Sequence, residues 1–209
     1  MGYYSETIFP WLLDRALGHP NIMRRRQALV SGASGDVLEI GFGSGATLPF
    51  YDPARVSSLT VVEPSEGMNR RAAERLKDSP VPITSVPGAG ERLPFADARF
   101  DTVVCCLTLC SVTDVDQVLA EVRRVLKPGG RFLFLEHVLS DDSGRQRWQH
   151  RLTPIQKLVG VGCHLDRPSA ELVRAAGFRL DPLPVQEEEP AFGALRTLTP
   201  LVMGAAIRV

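Results

Sequence analysis

The chain has 209 residues, 44% of them hydrophobic, which suffices for one well-buried core but leaves little for a second domain. Its 24 basic and 24 acidic residues give a formal net charge of zero, so no overall field directs it toward nucleic acid or an anionic membrane. No segment approaches the roughly 20 apolar residues of a membrane-spanning helix. We therefore expect one cytoplasmic domain over residues 1–209, a monomer or homodimer that acts on a small-molecule substrate.

The beginning of the chain predicts a helical lid. Residues 6–31 form two helical segments that Gly18-His19-Pro20 separates, and apolar residues such as Leu12 and Leu13 fall on one face of the first segment. We expect this lid, residues 1–31, to cover a core formed by residues 32–209. Three adjacent arginines, Arg24 to Arg26, point in three directions on a helix and are expected to be solvated.

The core shows alternating strand and helix patterns. Short apolar runs predict strands at 36–40, 59–62, 100–106 and 131–136, and amphipathic segments predict helices at 66–77, 116–126 and 169–176. Two more strands are expected near 178–184 and 201–209, joined by a loop that contains Glu187, Glu188 and Glu189. This order predicts the α/β class, a single Rossmann-like doubly wound sheet that is mostly parallel with an antiparallel last strand.

The first predicted strand ends in a glycine-rich turn. Gly41, Gly43 and Gly45 allow a ligand to approach the backbone closely, and ligands of doubly wound sheets bind at the carboxyl ends of the strands. Glu63 ends the next strand, where a carboxylate can accept both hydroxyls of a ribose. The third glycine comes one residue earlier than in the dinucleotide fingerprint. The spacing thus argues against a nicotinamide-dependent oxidoreductase, which remains an alternative.

Three segments in order, residues 37–45, 62–65 and 123–130, resemble motifs of the class I S-adenosylmethionine (SAM)-dependent methyltransferases. The resemblance implies SAM as the cofactor and S-adenosylhomocysteine as the product. The amino group of SAM needs an acceptor, and Glu39 is a candidate. The residues expected to bind the cofactor are Glu39, Gly41, Gly43, Gly45, Glu63, Pro64, Met68, Ala89, Gly90, Glu91 and Leu107.

Residues 88–95 resemble the adenine-binding segment of the quinone-biosynthesis C-methyltransferases, where an aspartate commonly receives the adenine amino group. Ala89 occupies that place here. We expect backbone groups at residues 89–91 to frame the adenine and Met68 to pack on its face. The missing carboxylate leaves a non-catalytic SAM-binding module as a further alternative.

Residues 103–112, 136–138 and 162–165 are similar to the methyltransferase-like 7 group of thiol methyltransferases. That resemblance implies methylation of a small sulfur nucleophile. Methylation of a quinone precursor or of a lipid amine is the nearest alternative. A thiol with a pKa near about 8.5 already supplies some thiolate at neutral pH, whereas an alcohol or a carbon acid needs a base.

The candidate catalytic residues are His137 and the pair His164 and Asp166. His137 lies just beyond the predicted strand 131–136, on the ligand side of the sheet, and a structural role is the alternative for it. The four cysteines, Cys105, Cys106, Cys110 and Cys163, lack the spacing of a zinc knuckle or a disulfide framework. We expect reduced thiols and no metal site.

Overall fold

The computed structural model describes residues 2–180, 185–187 and 200–209. Eight strands within these ranges form one sheet in the order β3-β2-β1-β4-β5-β8-β6, with β7 also paired to β8. In chain order the strands are β1 Gly35–Ile40, β2 Val56–Glu63, β3 Ile83–Pro87, β4 Phe100–Cys106, β5 Leu126–His137, β6 Phe178–Leu180, β7 Val185–Glu187 and β8 Leu201–Arg208.

Strands β1 to β5 pair in parallel, and β8 runs antiparallel to β5, as expected of the last strand. The strand order reverses between β1 and β4, and both strands are buried along most of their length. The doubly wound sheet is thereby confirmed. Its reversal point lies directly behind the glycine-rich turn that follows β1.

Six α-helices within the described ranges flank the sheet: α1 Phe9–Leu17, α2 Pro20–Val30, α3 Glu66–Lys77, α4 Val115–Val125, α5 Ser143–Val159 and α6 Ser169–Ala175. Alternate residues of β1 belong to different cores. Leu38 packs in a cluster with Val118 of α4, and Val37 packs in a second cluster with Leu29 of α2. Both faces of the sheet are therefore covered, as parallel sheets require. No helix in the described part of the chain combines the length and apolarity that a bilayer crossing demands.

Several predicted bounds need correction. Residues 127–130, which lie between the predicted helix 116–126 and the predicted strand 131–136, fall inside the bounds of β5, where the pairing with β4 shifts register between Phe100 and Thr102. Glu187, expected in a loop, belongs to β7, while Glu188 and Glu189 lie outside the described residues. Of the strand expected over 178–184, the structure describes Phe178–Leu180 as β6, and residues 181–184 lie outside the described residues.

Candidate active site

A cavity of about 510 Å³ lies at the carboxyl ends of β2, β1, β4 and β5. Its opposite wall comes from the N-terminal segment, including Phe9 and Leu13 of α1. This volume lies in the range of small-ligand and cofactor sites. We divide the cavity into two parts by the strand order. The cofactor end lies beside β1 and β2, and the acceptor end is lined by residues 110–113, 137, 156, 160, 161 and 163.

The glycine-rich turn has a backbone that only glycine adopts without strain. Gly41, Gly43 and Gly45 have φ values of 72°, 59° and 80°. A Cβ at Gly41 would overlap the side chain of Thr108, whereas at Gly43 the nearest atom would be 4.0 Å away. Gly41 and Gly43 line the cavity, and Gly45 is not among its lining residues. The turn thus leaves exposed backbone where the sequence predicted a bound ligand.

Glu63, the last residue of β2, is held by the backbone around it. One carboxylate oxygen accepts a hydrogen bond from the N–H of Gly43 at 2.8 Å, and the other accepts from the N–H of Ser65 at 2.9 Å. Burial raises the pKa of the Glu63 carboxyl, while these two hydrogen bonds oppose the shift. Each oxygen keeps a further lone pair, so the carboxylate can accept hydroxyl groups from a ligand in the cavity.

Glu39 borders the same cavity, but protein donors already contact its carboxylate. The hydroxyl of Thr47 lies 2.9 Å from each oxygen, and the hydroxyl of Tyr51 donates to one of them at 2.8 Å. Burial raises the pKa of Glu39 to about 7, although these hydrogen bonds lower it. Its binding of the SAM amino group stays a prediction, and the contacts in the structure give it a second role in fixing the turn.

Arg26 is a cavity residue that the sequence did not single out. The arginine triplet was expected to be solvated, yet Arg26 is only 7% exposed and lines the cavity near Glu39. Its guanidinium donates to the carbonyl of Leu17 at 3.2 Å, and its Nε has no hydrogen-bond partner among the described residues. A buried cation with an unsatisfied N–H is suited to bind a carboxylate.

The residues expected around the adenine also meet at the cofactor end. Pro64, Met68, Ala89, Gly90 and Glu91 all line the cavity. A Cβ at Gly90 would lie 2.8 Å from a methyl carbon of Ile40, so the chain passes close to β1. The Glu91 carboxylate accepts from the N–H of Thr113 at 2.9 Å. Glu91 therefore ties this segment to the loop before α4.

The N-terminal segment closes over the cofactor end through two acidic side chains. The Glu6 carboxylate accepts hydrogen bonds from the N–H of Gly67 at 2.6 Å and the hydroxyl of Ser65 at 3.2 Å, both at the start of α3. The Asp14 carboxylate accepts from the hydroxyl of Ser44 at 2.6 Å and pairs with Arg75 at 3.2 Å. These contacts join the N-terminal segment to the turn after β1 and to the start of α3, and its role as a lid stays a prediction.

At the acceptor end, Glu136 fixes the loop that follows β4. This fully buried carboxylate accepts the backbone N–H groups of Thr108 and Leu109 at 2.9 Å and of Cys110 at 3.2 Å. Burial raises the pKa of Glu136 to about 7, against the effect of these three hydrogen bonds. The loop begins at Leu107, a cavity residue with a positive φ of 58°, a conformation that costs a non-glycine residue about 1–2 kcal/mol.

Three chemically reactive side chains converge at the acceptor end. His137 ends β5, Cys110 follows β4 and Cys163 follows α5, and one donor atom from each lies within 4.8 Å of the other two. Nδ1 of His137 is 4.0 Å from Sγ of Cys163. A hydrogen bond with Cys110, together with His137, lowers the pKa of the Cys163 thiol, and the pKa of Cys110 is raised. Neither cysteine was among the predicted catalytic residues.

The second predicted catalytic pair is not assembled. His164 lies next to the carbonyl of Cys110, with its Nδ1 at 3.3 Å, and the Asp166 carboxylate contacts Nδ1 of His150 at 2.8 Å instead. Neither His164 nor Asp166 lines the cavity. Of the predicted catalytic residues only His137 does, together with ten of the eleven predicted cofactor residues, Gly45 excepted.

Comparisons with known proteins agree with this geometry. Residues 38–134 match the family model of a methyltransferase domain. The chain is 34% identical to the thiol S-methyltransferase TMT1B of Rattus norvegicus, covering 97% of this chain and 87% of that protein. It is 36% identical to the thiol S-methyltransferase TMT1A of Homo sapiens, covering 81% of this chain and 75% of that protein.

A solved structure shares the fold at low sequence identity. The Phospholethanolamine N-methyltransferase 2 of Haemonchus contortus, solved with phosphomonomethylethanolamine and S-adenosylhomocysteine, superposes with a TM-score of 0.71 at 16% identity. The match covers 95% of this chain and 57% of that protein.

Proposed function

Because the chain belongs to the SAM-dependent methyltransferases, we propose that it transfers the methyl group of SAM to the sulfur of a small thiol. The observation that carries the choice of acceptor is the composition of the acceptor end. Its described lining offers thiols, hydroxyls, one imidazole, the amide of Gln156 and apolar groups, and contains no acidic residue. The thiol methyltransferases to which the chain is similar support the same choice.

The cofactor end has suitable groups for each part of SAM. In our proposal the Glu63 carboxylate accepts the ribose hydroxyls, and the guanidinium of Arg26, which lines the cavity, binds the carboxylate of the methionine part. Met68 and the backbone of residues 89–91 enclose the adenine, with no carboxylate at Ala89. SAM supplies a methyl group bonded to a positively charged sulfur. The methyl carbon is therefore already activated for displacement, and the protein does not have to activate it further.

A thiol fits the acceptor end better than an amine or a quinol precursor does. A cationic amine is usually recognised by a carboxylate or an aromatic face, and neither is present in the described lining of this end. A carbon acid needs a strong base to remove its proton. A thiol needs only orientation, exclusion of water and a group that takes its proton. His137 is the basic side chain that lines this end, and we assign that role to it.

The test is methyl transfer from SAM to a panel of aliphatic thiols, aromatic thiols, quinols and lipid amines, with the products identified by mass spectrometry. We expect methyl thioethers from the thiols and no methylated amine or quinol. Methylation confined to quinols or amines would overturn the thiol assignment. Cofactor binding with no turnover on any acceptor would favour the non-catalytic alternative, and binding of NADH in place of SAM would favour an oxidoreductase.

Two histidine variants make a matched control for the role of His137. His137→Gln is expected to lower kcat for thiols by about 10²-fold, in the range of general acid–base contributions, while the Kd for SAM stays unchanged. His164→Gln replaces a neighbouring histidine outside the cavity lining and should keep most of the activity. Equal losses in both variants would argue against the assignment to His137.

The state of the cysteines supports a proposal for the cell compartment in which the protein functions. All four are free, and each is buried. Because unpaired thiols persist where glutathione keeps the environment reducing, we propose that the protein functions in the cytoplasm.

A further inference from the structure

The side chains of Cys110, His137 and Cys163 bring two sulfur atoms and one imidazole nitrogen close enough together to bind a metal ion. We propose that these three residues bind one zinc ion through two thiolates and one imidazole, and that the fourth coordination position faces the cavity, where it binds the acceptor sulfur. The zinc site stands on the geometry of the cluster, whereas the identity of the fourth ligand rests on the proposed function.

The distances suit a tetrahedral ion. Zinc–sulfur bonds of about 2.3 Å and zinc–nitrogen bonds of about 2.0–2.1 Å place ligand atoms roughly 3.5–3.8 Å apart. In the structure the three donor atoms lie within 4.8 Å of one another, and the pair from His137 and Cys163 is at 4.0 Å. Side-chain movements of less than about 1 Å therefore complete the coordination.

The donor set selects the kind of metal. Two sulfur atoms and one imidazole nitrogen favour a borderline-soft ion such as zinc over magnesium or calcium, which prefer oxygen ligands. The cysteines are buried, Cys110 at 2% and Cys163 at 7% exposure. Two thiolates in such a place need a compensating cation, since an uncompensated buried charge is costly. A divalent ion meets that requirement for the whole cluster.

The three ligands come from elements that are firmly cross-linked. Glu136 accepts the N–H of Cys110, and the N–H of His164 donates to the carbonyl of Cys110 at 2.7 Å, which joins the loops after β4 and α5. Arg167 donates to the carbonyls of Leu109 and Val112 in the loop after β4. Fixed outer contacts of this kind are typical of metal sites, where they orient the ligands.

All three ligands line the cavity, so the site is open on one side. Three protein ligands with one open position are the arrangement of catalytic zinc, whereas structural zinc is closed by four protein ligands. In the zinc-bound protein His137 is a ligand, so the ion replaces it as the group that activates the thiol: when an acceptor thiol takes the open position, its proton passes to solvent and its sulfur binds as a thiolate. A lone pair of that sulfur then bonds to the methyl carbon, the old carbon–sulfur bond breaks toward the cofactor sulfur, and a neutral thioether and S-adenosylhomocysteine leave.

The site is tested by metal binding, independently of activity. The full-length chain, reduced and freed of metal with a chelator, is titrated with zinc in competition with a chromophoric chelator. We expect about one equivalent of zinc per chain. Cys110→Ser, Cys163→Ser and His137→Gln should each weaken binding by more than about a hundredfold, beyond the effect of changing an outer contact. Circular dichroism verifies that each variant is folded.

Two variants serve as matched controls. Cys106→Ser changes a cavity cysteine outside the cluster, and His164→Gln changes a histidine beside it, so both should keep zinc binding. Less than about a tenth of an equivalent of zinc in the native protein would overturn the proposal. Zinc binding that survives in Cys163→Ser and His137→Gln would overturn it as well.

Cobalt reports on the geometry and on the fourth ligand. Cobalt in place of zinc should give the intense visible bands of a tetrahedral site and a thiolate charge-transfer band that falls by about half when one cysteine is removed. Addition of 2-mercaptoethanol should shift the visible bands. If the protein binds one equivalent of cobalt but its visible bands do not change when the thiol is added, the proposal that the fourth position binds the acceptor sulfur is overturned.

The two proposals fail in different ways. Zinc binding without thiol methylation would refute the proposed function and leave the metal site standing. Thiol methylation at an undiminished rate in the metal-free protein would support the proposed function and refute the catalytic role of zinc.

Discussion

The cofactor end and the acceptor end of the cavity are built in different ways. At the cofactor end, glycines with positive φ shape the turn after β1, and a hydrogen bond joins Gly43 to Glu63, 20 residues apart on adjacent strand ends. At the acceptor end, side chains from three separate elements converge, and contacts such as that between His164 and Cys110 span 54 residues. The first end therefore depends on local backbone conformation, whereas the second depends on a few buried anchors.

The largest effect is expected from the backbone of the cofactor end. Gly41→Ala places a methyl group against Thr108 at a positive φ, so we expect SAM binding to weaken by more than about a hundredfold in calorimetry. Gly43→Ala has the same kind of φ but no close neighbour, and should lose stability by about 1–2 kcal/mol with a smaller loss of affinity. Equal losses in the two variants would show that conformation alone, without the steric contact, sets the turn.

A smaller effect is expected at Glu63. Glu63→Ala removes the acceptor for two backbone N–H groups and for the ribose, so the Kd for SAM should rise about ten- to hundredfold, the equivalent of about 1.4–2.8 kcal/mol. Glu66→Ala changes an exposed carboxylate three residues away and should bind SAM normally. An unchanged Kd in Glu63→Ala would contradict the assignment of the ribose to this residue.

At the acceptor end, Glu136→Gln tests whether the loop after β4 can be weakened without weakening the binding of SAM. An amide keeps one acceptor oxygen but presents an N–H₂ group to a backbone N–H, so we expect a loss of about 1–3 kcal/mol in the free energy of unfolding. The KM for the acceptor should rise about tenfold while the Kd for SAM changes less than about twofold. A parallel loss of both would mean that the two ends are one structural unit. The exposed Glu74→Gln is the control.

The pH dependence of the free energy of unfolding tests the cofactor end through the raised pKa of Glu39. Its pKa is about 7 when folded against a reference of 4.5, so between these values the folded state holds a proton that the unfolded state has released. This contribution is fully present below about pH 4.5 and is lost as pH rises through about 7. Relative to the native protein, Glu39→Gln should gain up to about 1.4 kcal/mol per pH unit across that interval in urea unfolding. Parallel pH profiles would contradict the shifted pKa.

Much of the fold was predictable, because its central elements carry strong local signals. The strand over 100–106 and the helix over 66–77 have the predicted bounds. The first is an apolar run, and the second begins after Ser65, whose hydroxyl accepts the N–H of Met68 as an N-cap. By contrast, β3 was missed because Ile83–Pro87 is a half-exposed edge strand with few apolar residues.

Helix α5 was missed for a different reason. It runs from Ser143 to Val159 with Pro154 inside it, although proline normally interrupts a helix, and its few buried side chains include the polar Gln149 and Thr153. Gln149 donates to the carbonyls of Val138 and Leu165 at 2.9 and 2.7 Å, which fastens the helix to the loops on either side. These long-range hydrogen bonds leave no periodic pattern in the sequence.

In the candidate site, too, residues with a local sequence pattern could be predicted, and residues that depend on long-range contacts could not. Gly41, Gly43 and Glu63, which line the cavity, could be predicted because their spacing reflects one strand-turn-helix unit and the next strand. Arg26 and Glu136 were not found, because their roles come from burial and from partners on other elements. Cys110 and Cys163 were interpreted as reduced thiols without a metal, because a zinc-knuckle pattern detects ligands that lie close together on one loop. It does not detect ligands that come from three separate elements.

The anchoring of the loop after β4 by Glu136 has a consequence for changing the specificity of the protein. Successive backbone N–H groups that point inward form a concave nest for an anion, and here the protein supplies that anion from its own β5 strand. The path of the loop is thus set by main-chain N–H groups, which every residue except proline possesses. Ser111, Val112 and Thr113 line the cavity directly after the three anchored residues, so the acceptor pocket can be reshaped there without changing the contacts of Glu136.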